Sequence, residues 1–235
     1  MYKRQVPRLV ESFGHMAVFG VLSLFSLMTL LILPFIPDVK KAQSDNNPFK
    51  LNISFLLILA LLALFLFQSS NMGVADYAFE LGKDIGLVNT EISNLLTIAN
   101  IISISGGILV YVIGTKYGRT VPLCIGFLVS AIFTYLLHYS ENITIYFIAN
   151  TVTGIAWAFV IPYVLGLCAS FDKHGQMAAL AGFISKVGLA TGPLVGSLVI
   201  LDYGFDLILN LATIALIIAA GIIGYSSAKQ ERVTT

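Results

Sequence analysis

The feature that most constrains this chain is the length of its uncharged apolar stretches. The run from Leu51 reads LNISFLLILALLALFLFQSSNMGVA and meets no charged residue before Asp76. About 20 helical residues rising about 1.5 Å each cross a hydrocarbon layer about 30 Å thick. Such runs recur along the chain, and apolar helices are predicted at 16–37, 51–75, 90–113, 121–138, 144–170, 177–200 and 205–225. Of the 235 residues 57% are hydrophobic and 11% charged, against about a quarter charged in a soluble domain. The expectation is an all-α integral membrane protein with seven transmembrane helices.

Composition also excludes functions. A net charge of +1 argues against a nucleic-acid binder, which concentrates basic charge on one surface. Cys124 and Cys168 lie inside apolar segments and read as small buried hydrophobes, not a disulfide. The sequons at Asn52 and Asn142 carry no weight, because three-residue patterns recur by chance. His15, His138 and His174 are dispersed near helix ends and loops. No paired His-Glu spacing, nucleophile elbow or phosphate loop accompanies them, so no catalytic residue, metal site or cofactor is expected and the chain reads as a non-enzyme.

Loop charge sets the expected orientation. Lys40, Lys41, Lys50, Lys116, Arg119, Lys173, Lys229 and Arg232 fall on one side of an alternating topology. Asp76, Glu80, Asp84, Glu91, Glu141, Asp202 and Asp206 fall on the other, with Lys83 as the one base. Basic loops stay cytoplasmic, which puts the carboxy terminus, with its tail 228–235, inside a plasma membrane, expected to be the bacterial inner membrane. Lys3, Arg4 and Arg8 in the amino-terminal segment 1–15 break the rule. Residues 1–5, MYKRQ, resemble a translated sequencing-adapter remnant, and coding sequence is expected to extend upstream.

Two motifs carry a family resemblance. The loop Gly114-Thr115-Lys116-Tyr117-Gly118-Arg119-Thr120 resembles the second-half copy of the loop signature of the major facilitator superfamily. Lys116, Tyr117, Gly118 and Arg119 match, whereas Gly114 and Thr115 stand where the acidic and first basic residues belong, so the full charge relay is absent. Gly118 permits a tight reversal, and Lys116 and Arg119 suit helix carboxy-terminal carbonyls and lipid phosphates, a cytoplasmic gate latch. An ordinary positive-inside loop explains the same residues. The sixth segment, with Gly188, Gly192, Pro193 and Gly196, is similar to a glycine-proline element of drug-antiporter branches. Glycines at every fourth residue favour close helix packing, with a bending role for Pro193 as the sharper alternative.

The resemblance implies the carboxy-terminal half of a secondary transporter. Residues 16–37 stand for a sixth span, the polar stretch 38–50 for the cytoplasmic linker between halves, and 51–227 for the second six-helix bundle. The implied partners are a small solute, the lipid bilayer and a missing amino-terminal half. Symport, antiport and uniport stay open, with a proton or another coupling ion in the first two.

Candidate cavity residues follow from depth. Lys186 sits about 14 Å along its helix from Met177, near the bilayer midplane. An ammonium there costs at least about 2.5–3.5 kcal/mol, so it should face water or a partner, although capping a carbonyl or snorkelling is the structural alternative. Gln68 and Asn71 share a face by three-residue spacing and could address one ligand or a neighbouring helix. Asn94, Thr97 and Asn100 form a similar row, as do Asn150, Thr153 and Trp157. Trp157 lies mid-span, where cavity wall and core packing explain it equally. A seven-span receptor or photoreceptor is the competing class, yet the lone deep lysine is in the sixth helix, not the last, and that helix holds no counter-ion.

Overall fold

A computed structural model describes residues 15–32, 54–171 and 175–234. The linker 38–50, the amino-terminal segment up to residue 14, Asn52, Lys173 and His174 lie outside the described residues. All regular structure among those described is helical. α1, His15–Ile32, belongs to a unit separate from the bundle that begins at Ile53. The bundle contains α2 (Phe55–Ala75), α3 (Ala78–Asp84), α4 (Asn89–Ser103), α5 (Ser105–Ile113), α6 (Thr120–Leu136), α7 (Ile143–Ala169) and α8 (Gln176–Thr234).

Among the described residues five helices are long and apolar enough to cross a membrane: Phe55–Asp84, Asn89–Ile113, Thr120–Tyr139, Ile143–Ala169 and Gln176–Arg232. The difference from seven has two sources. The apolar part of α1, Phe19–Leu31, is short, because its predicted continuation at 33–37 is outside the described residues. The sixth and seventh predicted spans form one 59-residue element, α8, broken only at Gly204 (φ 71°, ψ −172°).

Gly204 reverses the chain. Before it, Ser185 meets Gln68 and Pro193 meets Tyr77, so residues 176–203 ascend alongside α2. After it, Asn210 meets His138, Ser226 meets Leu56 and Ser227 meets Thr120, so 205–234 descend along α2 and α6. The positive φ belongs to the region where a side chain is strained, and glycine adopts it freely. The helix also continues to Thr234, through most of the stretch 228–235 expected to be a cytoplasmic tail.

Two apolar clusters stack along the bundle. One joins Leu57, Phe67, Phe127, Val160, Leu167, Met177 and Ile223 toward the end bearing Lys116, Lys229 and Arg232. The other joins Leu81, Ile92, Leu137, Tyr146 and Leu209 toward the acidic end. In lipid the drive for helix association comes from close packing and hydrogen bonds, since hydrocarbon is as apolar as leucine. Glycines deliver that packing at two contacts. A Cβ on Gly73 would stand 3.1 Å from the Gly192 carbonyl oxygen, and one on Gly106 would overlap the Ile155 carbonyl oxygen.

Candidate functional site

The bundle interior contains a polar cluster that joins three helices. Gln68, 1% exposed on α2, donates from Nε2 to Ser185 Oγ on α8 at 2.5 Å. Its Oε1 accepts from Trp157 Nε1 on α7 at 2.7 Å. One amide therefore engages both its donor and acceptor ends, as burial of a primary amide in an apolar bundle requires. Close approach of α8 makes this reach feasible, because Gly188 lies against Gln68 Cβ and the Phe65 carbonyl.

Asn71 forms a second cluster, directed elsewhere. Its Nδ2 donates to the Phe67 carbonyl at 2.8 Å and its Oδ1 accepts from Ser130 Oγ of α6 at 2.9 Å. Gln68 and Asn71 are thus not brought together on one ligand; each fastens α2 to a different neighbour. Among the described residues no buried side-chain nitrogen or oxygen lacks a partner.

Lys186 follows Ser185 and is exposed on α8. Buried positions Ala181, Ser185, Gly188 and Gly192 define the face of α8 toward α2, and Lys186, one position after Ser185, is turned about 100° from it toward the exposed side. It has no ion-pair partner among the described residues. Every described carboxylate sits near a helix end or loop, at Asp76, Glu80, Asp84, Glu91, Glu141, Asp202, Asp206 or Glu231. Trp157 is 39% exposed, so part of its ring is open while its N–H is held.

The remaining candidates divide. Asn150 donates to the Tyr146 carbonyl at 2.8 Å, and Thr153 and Thr97 return their hydroxyls to the preceding turn at Ala149 and Ser93. Asn94 and Asn100 are exposed with Thr97 half-buried between them. A six-residue step turns a helix by about 240°, so the two asparagines diverge. Pro193 lies in continuous helix, and its carbonyl accepts from Tyr77 Oη at 2.9 Å. Gly196 packs on the same Tyr77 ring.

In the basic loop, Lys116 is exposed and Gly118 takes φ 69°. Arg119 occupies the N-cap position of α6 without any side-chain cap of its own. Glu231, at the far end of α8, fills that role: its carboxylate accepts from the Arg119 N–H, from the Thr120 N–H at 3.2 Å and from the Thr120 hydroxyl at 2.8 Å. An anion there also complements the helix dipole. Tyr163 Oη holds the start of the loop by donating to the Gly114 carbonyl at 2.7 Å.

Sequence reasoning missed Ser185, Ser130, Tyr163 and Glu231. The serines give no signal, being compatible with any apolar helix. Glu231 gave one: it is an acid on the basic side, next to the last span. At the acidic end His138, which the sequence shows only as one of three dispersed histidines, has its Nδ1 2.9 Å from Asp206 Oδ1 and its Nε2 3.2 Å from Asn210 Oδ1. That contact ties the end of α6 to the strand of chain leaving Gly204. Comparison with known protein families and with curated proteins finds no match to this chain.

Proposed function

We propose that this membrane protein is the carboxy-terminal half of a secondary transporter of the major facilitator type, moving a small solute by alternating access. On this reading the reversal at Gly204 makes the bundle six crossings, and α1 supplies a seventh ahead of a cytoplasmic linker. The observation that carries it is Lys186: an exposed cation without an ion-pair partner among the described residues, expected from the sequence near the middle of its span and one position after Ser185 of the Trp157–Gln68–Ser185 cluster. A charge at that depth faces a watery cavity or a partner and marks a substrate or ion pathway. The loop Lys116–Arg119 supports the same reading, since its N-terminal clamp on Glu231 makes it a discrete contact at the basic end that a gating motion could make and break.

Alternating access rocks two bundles about a central site. One bundle presents one wall, so the 235-residue chain by itself is expected to be inactive and its upstream coding sequence to restore transport. The test is solute uptake into proteoliposomes holding either the chain alone or the product of the extended gene, with Lys186→Gln in the latter. Uptake by the chain alone sinks the half-transporter reading. Unaltered uptake by Lys186→Gln sinks the role of Lys186.

A further inference from the structure

We propose that the cluster around Trp157 and Lys186 is a binding site for an organic monoanion with a flat apolar body, the carboxylate or equivalent group on Lys186 and the body on the face of the Trp157 indole. The inference rests on the transporter reading and adds the class of its cargo.

Three observations lead there. The amides at and next to the cluster are already engaged: Gln68 with Ser185 and Trp157, and Asn71 with Phe67 and Ser130, while the exposed Asn94 and Asn100 lie apart on α4. A sugar or other polyhydroxyl ligand would therefore have to break the Gln68 contacts to use that amide. Next to the cluster, Lys186 is left without an ion-pair partner among the described residues. All described carboxylates lie near helix ends, so the charge that Lys186 needs comes from outside the described residues.

The second surface left open is aromatic. The Gln68 carbonyl oxygen accepts from the Trp157 indole N–H at 2.7 Å. With that edge fixed and 39% of the residue exposed, the open part of the ring offers an apolar, stackable surface with no hydrogen-bond donor. The cation and the ring are linked through one amide: Gln68 touches Trp157 on one side and Ser185, the neighbour of Lys186, on the other. A cationic ligand would be repelled by Lys186, and a neutral one would leave it unpaired.

Trp157 is the single tryptophan of the chain, so its emission reports this site alone. The 235-residue protein in lipid nanodiscs would be titrated with benzoate, benzamide and benzylamine, a set matched in ring and differing in charge. Saturable quenching by benzoate is expected, with benzamide weaker by about tenfold or more, the scale of one charge-assisted hydrogen bond, and benzylamine silent. Lys186→Gln should bring benzoate down to the level of benzamide, and Lys186→Arg should retain the preference. Equal responses to all three, no saturable benzoate response, or an unchanged benzoate curve in Lys186→Gln overturns the proposal. The two readings separate cleanly. Uptake by the extended gene without benzoate binding leaves a transporter of some other cargo, and benzoate binding without uptake leaves an anion site without transport.

Discussion

Gly192 and Ser69 meet backbone to backbone: a Cβ on Gly192 would overlap the Ser69 carbonyl oxygen and stand 2.7 Å from the amide nitrogen of Gly73. This contact sets how near α8 can come to α2, and hence whether Ser185 reaches Gln68. Gly192→Ala gains the helix propensity of alanine, about 1 kcal/mol, but backbone cannot yield as a flexible side chain would. Overpacking of about 1–3 kcal/mol should win. Thermal unfolding in nanodiscs should show a lower midpoint for Gly192→Ala, while Gly221→Ala, with nothing within 4 Å of its Cβ, should be neutral or stabilising. Equal behaviour of the two would remove the close-packing account.

Removing the Glu231 carboxylate should fray the start of α6. Glu231→Ala leaves the Arg119 and Thr120 N–H groups without their acceptor, a loss on the scale of an N-cap, about 0.5–2 kcal/mol. Glu231→Gln keeps an acceptor oxygen and should lose less. Amide hydrogen exchange over 118–123 is the direct measurement, and unchanged protection in Glu231→Ala would refute the clamp.

Gln68→Leu should shift the emission of Trp157 to the blue, because the excited indole loses the oxygen that now accepts its N–H at 2.7 Å. It also strands Ser185, whose hydroxyl is 2.5 Å from Gln68. An unchanged spectrum would show that Gln68 does not position the indole.

Tyr146→Phe should destabilise the acidic end. The Tyr146 hydroxyl is buried and donates to the Ala78 carbonyl in the first turn of α3 at 2.7 Å, so its removal takes away that tie between α7 and α3 at a cost of about 0.5–1.5 kcal/mol. The check is the unfolding midpoint, with hydrogen exchange of α3 rising before that of α6.

Membrane character, the approximate helices and the sorting of basic from acidic loops were legible in the sequence, because each depends on transfer free energies that local composition carries. Residues 144–170 became Ile143–Ala169, and the glycine periodicity of 188, 192 and 196 pointed to close packing. Tertiary structure decided which polar groups meet. Gln68 finds partners 89 and 117 residues away, and whether those side chains converge depends on the rotation and register of three helices at once. The same holds for Glu231 and the amides at Arg119 and Thr120, some 110 residues apart along the chain. Local pattern states that an amide in lipid needs a partner; only the packing of backbone against backbone at Gly188 and Gly192 determines which one it gets.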